Sequence, residues 1–284
     1  MMQMKNKLSI IIPTFNSEKY IPALLKNITG QTLHDYELVI IDNVSVDNTI
    51  TLIKEFTHHI DINIISEKDN GIYEAMNKGI KNATGEWLYF MGTDDIFDNE
   101  NVLQSVYPFL TSENDIVYGD SIWMPKNIKE EGEWTYPVFI NRNINHQRIF
   151  YKRELFRQYT GLNTKYKIAS DHEMNIRLFC NDSIRKKYIP IAIARFHSGG
   201  FSSNKTDEAF WADWDKIILK NFKSHLPKKI IYGSLGAYIR YLVDKKKYTK
   251  AIALLCKHFY HTRSLGFVKL MLDYFGSPKT NYAG

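Results

Sequence analysis

The chain has 284 residues, 44% hydrophobic and 24% charged, which is the composition of a globular protein large enough to bury a substantial core. No run reaches the roughly 18 apolar residues that a membrane span needs, and no apolar signal region precedes the first strand-like run. The formal net charge is +6, and the cysteines, Cys180 and Cys256, lack CxxC spacing, which disfavours disulfide frameworks and thiolate zinc sites. A cytoplasmic protein is expected.

Strand-like runs alternate with helical patterns over residues 1–120. Two amphipathic helices are predicted from apolar residues at i, i+3, i+4 and i+7, one over residues 21–28 and one over residues 72–80. The alternation predicts a doubly wound, mixed but mainly parallel α/β sheet with helices on both faces. The predicted strands are LSIII (8–12), YELVIID (36–42), INII (62–65), EWLYFM (86–91) and DIVYGD (115–120).

Polar motifs follow four of these strands. Ligands bind beyond the carboxyl ends of the strands in such sheets, so the motifs predict a binding site at that edge. The motifs are PTFN (13–16), DNVSVDN (42–48), SEKDNG (66–71) and GTDD (92–95).

Asp94 and Asp95 admit two interpretations. One is helix capping, in which an acid satisfies free N–H groups and meets the helix dipole favourably. The other is a hard divalent cation, because Mg2+ or Mn2+ takes one or two protein carboxylates and completes its shell with phosphate oxygens. Such a cation neutralises a bound diphosphate and stabilises it as a leaving group. One acid suffices for a cap, so the adjacent pair favours the cation.

Asp42 ends the second predicted strand, where a carboxylate can accept hydrogen bonds from a base or a ribose. The structural alternative is a turn and a helix start with Ser45 or Asp47 as the cap; both roles are expected, Asp42 for a ligand and Asp47 for the turn. The turn after the first strand contains neither GxGxxG nor GxxxxGK[ST], which disfavours nicotinamide dinucleotides and P-loop hydrolysis. The remaining possibility is a nucleotide that is bound through a metal ion and carboxylates.

Together, SIIIPTFNSEKYI, ELVIIDNVSVDNT and SEKDNGIYEAMNKGIKNATGEWLYFMGTDD resemble the family 2 glycosyltransferases of the GT-A fold in order and spacing, over roughly residues 8–204. NHQRIFYKRELF, ASDHEMNIRLF and FHSGGFS resemble the family too, especially its bacterial members that build surface polysaccharides. The resemblance implies a hexosyltransferase-type, inverting transfer from a nucleotide-sugar, most commonly a UDP-sugar, with Mn2+ or Mg2+. It implies a glycan or lipid-linked saccharide as the acceptor.

By position, the resemblance implies a ribose-side acid at Asp94, a metal ligand at Asp95 and a base contact at Asp42. The second block departs from the family at Asn43 and Asn48, where Gly is usual; Asn tolerates left-handed backbone, so the turn is expected to survive. The other residues expected to bind the nucleotide-sugar are Pro13, Thr14, Asn16 and Asp69.

Asp171 is expected to be the catalytic base, because inverting transfer needs a carboxylate that takes the proton from the attacking acceptor hydroxyl. Ser170 and Glu173 form a capping-box pattern, which predicts that Asp171 lies in the first turn of a helix over residues 170–181. The structural alternative is an acid that the helix dipole favours. The two are compatible, since a helix N-terminus keeps the carboxylate ionised, and the position in the family favours catalysis.

The acceptor side is less sharply defined. The histidines lack HxH and HExxH spacing, so a polar or acceptor contact is favoured over metal binding. The glycine turn after the strand-like IPIAIARF (189–196) resembles a flexible segment near the acceptor in the family and can act as a lid. Two tryptophans are candidates for stacking on a sugar. The acceptor-side candidates are His146, His197, Gly199, Gly200, Trp123 and Trp134.

The C-terminal segment is basic and helical. Residues 205–284 hold 15 Lys and Arg against 6 Asp and Glu, whereas residues 1–204 hold 22 against 25. Over residues 226–270, lysines and aromatic residues alternate in helices that either pack on the catalytic body or lie on an anionic membrane surface. Nucleic-acid binding is disfavoured because no recognised module accompanies the charge.

The sequence thus predicts a GT-A domain over residues 1–204 with a donor half (1–120) and an acceptor half (121–204), followed by a basic helical extension (205–284). Membrane binding by the extension implies a peripheral location at the inner face of the cell membrane. Two alternatives stay open. A metal-dependent nucleotide-sugar hydrolase or nucleotidyltransferase is disfavoured by the missing Gly-rich loop, and a non-catalytic sugar-nucleotide-binding module by the intact set of acids.

Overall fold

The computed structural model describes residues 7–57, 60–197 and 206–262. These residues fall into two compact units, one built from the chain up to Trp134 together with Asn143–Phe210, the other from Thr135–Arg142 and the chain after Phe210. The division into residues 1–204 and 205–284 stays a prediction.

The first unit is built around one mixed sheet. Its strands, within the described residues, are β1 (Leu8–Thr14), β2 (Tyr36–Asp42), β3 (Asp61–Ser66), β4 (Trp87–Phe90), β5 (Ile96–Phe97), β6 (Ile116–Met124), β7 (Ile128–Glu130), β8 (Ile149–Lys152) and β9 (Lys186–His197). The strand order is β3-β2-β1-β4-β8-β6-β9-β5, with β7 paired to β6. Strands β1 to β4 are mutually parallel, β6 is parallel to β9, and β8 is antiparallel to both of its neighbours.

Helices flank the sheet of the first unit and make up the second. The helices of the described residues are α1 (Ile21–Thr29), α2 (Thr49–Glu55), α3 (Ile72–Asn82), α4 (Val102–Val106), α5 (Tyr136–Phe139), α6 (Glu154–Gln158), α7 (Ser170–Phe179), α8 (Glu208–Ala212), α9 (Trp214–Asn221), α10 (Lys228–Asp244) and α11 (Tyr248–Thr262). Short 3-10 turns cover Tyr107–Phe109 and His146–Arg148.

The core explains why these segments fold as they do. Every residue of β1, β2 and β4 is buried, as expected for parallel strands covered on both faces. Helix α1 buries the predicted apolar face. Helix α3 approaches β1 so closely that a Cβ at Gly79 would overlap the Ile11 side chain. The predicted α/β architecture, the five early strands and the helices over residues 21–28 and 72–80 are therefore confirmed.

One local prediction is wrong, and one alternative interpretation is excluded. Ser170 does not cap α7: the cap residue is Ala169, whose carbonyl accepts the Glu173 N–H at 3.0 Å, and the Ser170 hydroxyl makes no hydrogen bond within the described residues. Just before the helix, Asp207 accepts the N–H groups of Ile168 and Ala169 at 2.8 and 3.1 Å. Helix capping by the adjacent acids also fails, because Asp94 and Asp95 precede strand β5 and the next helix begins at Val102.

The turn after β2 contains one residue with left-handed backbone. Its left-handed residue is Val44, with φ of 56°, and neither Asn43 nor Asn48 has a positive φ. Asn43 instead extends the β1–β2 pairing, since its N–H donates to Thr14 O at 3.0 Å. The turn therefore does not use the tolerance of Asn43 and Asn48 for left-handed backbone.

The second unit is helical and holds an aromatic cluster. The ring of Trp211 stacks on that of Tyr238 at 5.6 Å and meets Trp214 edge-on at 5.2 Å. On α11, Tyr248 and Ile252 are 54% and 58% exposed. Among the described residues, no helix combines the length and the apolar character that crossing a bilayer requires.

Candidate active site

The carboxyl ends of β1, β2, β3 and β4 lie side by side at one edge of the sheet, so the polar motifs that follow them meet there. Pro13 is buried within β1. The hydroxyl of Thr14, at the end of β1, is buried and makes no hydrogen bond within the described residues. Such an unsatisfied group is rare in folded proteins and marks a place where a polar ligand can bind.

An open cleft of about 510 Å³ lies beside this edge. Its volume falls in the range of small-molecule sites. The Asn43 amide oxygen accepts the Asp69 N–H at 2.9 Å, and the Asp69 carboxylate accepts the Gly71 N–H at 2.8 Å, so the two loops that form the cleft are tied together. The cleft is lined by Phe15, Asn43, Val44, Val46, Lys68, Asp69 and Asn70.

Asp42 is fully buried behind the cleft. Its carboxylate accepts the N–H of Ser45 at 3.0 Å, the hydroxyl of Ser66 at 2.6 Å and also the hydroxyl of Ser45. The Ser45 hydroxyl accepts the Asn16 N–H at 2.8 Å, and the Asn16 amide oxygen accepts the Val46 N–H at 3.0 Å. Asp42 and Asn16 thus shape the loop that lines the cleft, and a direct base contact by Asp42 stays a prediction.

Asp47 has the predicted turn role. Its two carboxylate oxygens accept the N–H groups of Glu18 and Thr49 at 3.1 and 3.0 Å. These bonds fix the start of α2 against the turn after β1.

Asp95 is held in one orientation. Its side chain is 3% exposed, and its Oδ2 accepts the Gly92 N–H at 2.8 Å and the Gln147 Nε2–H at 2.9 Å. A Cβ at Gly92 would lie 2.7 Å from Asp95 Oδ2 and 3.2 Å from Asp94 Oδ1, so any other residue would have to displace these carboxylates. Burial raises the pKa of the Asp95 carboxyl, and the Gln147 hydrogen bond and the nearby His146 imidazole partly offset that rise.

This arrangement suits a divalent cation that shares its shell with a nucleotide. No group of three or more acidic, histidine or cysteine side chains capable of holding a metal occurs among the residues that the structure describes. Mg2+ and Mn2+ do not need one when phosphate oxygens complete the shell. Asp94 and Asp95 are adjacent and oriented around Gly92, and their role as ligands of such a cation stays a prediction.

Asp171 is 8% exposed and surrounded by hydrogen-bond donors. Its Oδ1 accepts the Tyr73 hydroxyl and the His172 N–H, both at 2.9 Å; its Oδ2 accepts the Asn143 amide at 2.8 Å and lies 3.4 Å from His146 Nδ1. Burial alone would raise the pKa of Asp171, but the hydrogen bonds and charge of His146, with the Tyr73 hydroxyl, outweigh it, and the pKa is lowered. The ionised form of the Asp171 carboxylate is thus favoured, and its role as the catalytic base stays a prediction.

Asp171 is also supported by a hydrogen-bond network whose members the sequence did not indicate. Tyr151 donates its hydroxyl to the Asn175 amide oxygen at 2.6 Å, and Asn175 donates to the Asn143 oxygen at 3.2 Å. Asn143 then donates to Asp171, so the orientation of each amide is set by the next. Common residue types in different elements carry no sequence pattern, and only the fold brings them together.

The acceptor-side candidates lie in different surroundings. His146 faces Asp171, whereas His197 is exposed at the end of β9. Trp123 stacks on Phe196 at 6.3 Å, and Trp134 lies 5.7 Å from the Arg148 guanidinium. Gly199 and Gly200 lie outside the described residues. Acceptor binding by these residues stays a prediction.

Comparison with known proteins identifies the family of this chain. Residues 9–186 match the family described as glycosyl transferase family 2. The PGL/p-HBAD biosynthesis glycosyltransferase of Mycobacterium bovis (strain BCG / Pasteur 1173P2) is 36% identical, over 71% of this chain and 81% of the relative. The chain therefore belongs to glycosyl transferase family 2, and it is a glycosyltransferase.

Solved structures agree on the fold. The chain resembles S. aureus TarS in complex with UDP-GlcNAc, with a TM-score of 0.65 and 18% identity over 95% of this chain and 80% of that one. It spans 43% of a longer TarS chain. It also resembles the mannosyltransferase PcManGT from Pyrobaculum calidifontis in complex with GDP-Man and Mn2+, with a TM-score of 0.56 and 16% identity over 95% and 84% of the two chains. The predicted GT-A fold is confirmed.

Proposed function

We propose that this glycosyltransferase moves a sugar from a UDP-sugar to a hydroxyl of a glycan or lipid-linked saccharide, with inversion and with Mn2+ or Mg2+. The observation that carries the proposal is the coupling of two acids through adjacent residues of one turn. His146 faces Asp171 at 3.4 Å, and Gln147 binds Asp95 at 2.9 Å. A proton acceptor and a metal-binding carboxylate held by the same turn suit a reaction between an acceptor hydroxyl and a metal-bound diphosphate-sugar.

The two parts of the donor, its nucleotide and its diphosphate, are assigned to different groups of residues. The nucleotide lies in the cleft beside Phe15 and Val44, with Pro13, Thr14, Asn16 and Asp69 around it and Asp94 toward the ribose. Asp95 would hold the cation, which would supply the positive charge that neutralises a diphosphate leaving group. The relatives support a nucleotide-sugar donor, since TarS was crystallised with UDP-GlcNAc and PcManGT with GDP-Man and Mn2+.

Asp171 is the base in this proposal. The acceptor oxygen attacks the anomeric carbon while the bond from that carbon to the diphosphate oxygen breaks, and Asp171 takes the acceptor hydroxyl proton. Because attack and departure occur on opposite faces, the anomeric configuration inverts. The lowered pKa of Asp171 keeps the carboxylate ready to accept the proton at neutral pH.

The basic extension is assigned to an anionic membrane surface, with the enzyme on the cytoplasmic side. Lys245, Lys246 and Lys250 are exposed beside the exposed apolar side chains of Tyr248 and Ile252. Helices with this mixture of lysine and apolar side chains bind the surface of anionic bilayers. A membrane location suits a lipid-linked acceptor.

Binding and transfer are tested separately. UDP-sugars with Mn2+ should raise the melting temperature of the wild-type chain, and Asp95→Ala should lose that stabilisation. Asp171→Asn should keep the stabilisation and lose transfer to a saccharide acceptor. Full turnover by Asp171→Asn would refute the base, and equal binding by Asp95→Ala with and without Mn2+ would refute the metal ligand.

A further inference from the structure

The His146–Arg148 turn is unusually well anchored. Tyr89 on β4 donates its hydroxyl to the Gln147 carbonyl at 2.7 Å, and Arg148 Nε donates to the Gly119 carbonyl at 2.5 Å. Tyr89 and Arg148 are both fully buried. The backbone of the turn is therefore fixed to β4 and β6, and its side chains point in set directions.

Each residue of the turn faces an acid. His146 faces Asp171, Gln147 binds Asp95, and the Arg148 guanidinium lies 3.7 Å from both Asp120 and Glu130. Gln147 differs from its neighbours because its side chain cannot carry a charge. Its amide NH2 group faces Asp95 and donates to the Oδ2 atom of that carboxylate.

The two oxygens of the Asp95 carboxylate differ in their hydrogen bonds. Oδ2 receives both N–H donors, from Gly92 and Gln147, while Oδ1 receives no hydrogen bond from the residues that the structure describes. Two donors satisfy the lone pairs of one carboxylate oxygen, so Oδ2 is a poor metal ligand and Oδ1 is left as the ligand. Groups that hydrogen-bond a metal-binding carboxylate orient it toward the metal.

We infer that Gln147 is a positioning residue for the metal: together with Gly92 it holds Asp95 Oδ2, so that Asp95 offers Oδ1 alone to the cation. The inference rests on the proposed role of Asp95. It assigns to Gln147 an effect on cation affinity in the nucleotide complex and no contact with the sugar, the acceptor or the transferred proton.

The test is the affinity for Mn2+ in the presence of UDP, measured from the electron paramagnetic resonance signal of free Mn2+. Gln147→Met keeps the size of the side chain but removes the donor, and Gln147→Asn keeps the amide but shortens its reach. Both should weaken Mn2+ binding by about 10–100-fold, the usual loss when a residue that orients a metal ligand is replaced. UDP binding should return to the wild-type affinity once Mn2+ is saturating.

Gln31→Met is the matched control. Gln31 is buried and, like Gln147, hydrogen-bonded, to Asn99 O at 2.8 Å and Leu103 N at 3.2 Å, but it does not touch Asp95. It should bind Mn2+ as the wild type does. Equal weakening in Gln31→Met and Gln147→Met would overturn the inference in favour of general destabilisation.

The remaining outcomes separate the two proposals. If Asp95→Asn loses Mn2+ binding while Gln147→Met and Gln147→Asn retain wild-type affinity, Gln147 has no positioning role and the proposed metal ligand stands. If the wild-type chain with UDP binds no Mn2+, the proposed metal dependence fails and the role of Gln147 fails with it. Should Gln147→Met not fold, Gln147→Asn carries the same comparison.

Discussion

At the scale of single residues, the donors around Asp171 set its proton affinity. Burial raises its pKa, but His146 and then Tyr73 lower it below the ordinary value. Because the pKa is lowered, the ionised carboxylate stabilises the fold at any pH above the ordinary aspartate pKa of about 3.9. This stability is lost as the pH falls through the lowered pKa. Activity that requires the carboxylate should fall over the same acidic window.

Tyr73→Phe removes one hydrogen bond that favours the charged form of Asp171. We expect the acid limb of the pH profile of kcat/KM to move to higher pH, because the pKa of Asp171 rises. Tyr36→Phe is the control: its buried hydroxyl donates to Ile28 O at 2.8 Å, away from Asp171. An unmoved acid limb in Tyr73→Phe, or the same shift in Tyr36→Phe, would contradict the assignment.

The acids of the site were predictable from sequence, whereas their partners were not. Asp95 and Asp171 stand out because they lie in motifs, after a strand and at a helix start, whose order and spacing resemble those of the family. Gln147 and Tyr73 lie 52 and 98 residues from the acids that they bind, and neither residue type is rare. The capping box at Ser170 misled because the cap lies one residue earlier: Ala169 is the cap residue, and its carbonyl accepts the Glu173 N–H at 3.0 Å.

At the scale of elements, the long buried strands were predictable and the short ones were not. Strands β1 and β2 have seven residues each, enough for an apolar run to be recognised. Strands β5 and β7 have two and three residues, too few for any periodicity. The antiparallel pairing of β8 between β4 and β6 depends on long-range contacts that no local pattern reports.

The loop after β2 carries a measurable strain. Val44, a β-branched residue, has φ of 56°, which costs roughly 1–2 kcal/mol for an L-residue with a Cβ. Val44→Gly relieves that cost and loses about 0.5–1 kcal/mol to glycine's greater backbone freedom when unfolded. We expect a net stabilisation of about 0.5–1 kcal/mol, seen as a higher urea midpoint with an unchanged slope.

Val46→Gly is the comparison for that loop. Val46 is 87% exposed and has no positive φ, so glycine relieves no strain there. The variant should be destabilised by about 0.5–1 kcal/mol through backbone entropy alone. Destabilisation of Val44→Gly to the same extent would show that Val44 is not strained in solution.

At the scale of the whole molecule, the charge asymmetry predicts where the enzyme works. We expect the full chain to co-sediment with vesicles that contain anionic lipid, to bind neutral vesicles weakly, and to dissociate as salt rises, because lysine–lipid attraction is screened.

Replacing Tyr248 and Ile252 by Ser removes exposed apolar side chains one turn apart on α11 and should weaken the binding to anionic vesicles further. Ile128→Ser, which removes a 46% exposed side chain from β7 in the first unit, should bind like the wild type. Absence of co-sedimentation at low salt, or equal weakening by Ile128→Ser, would leave the lysines of the extension as a solvated surface.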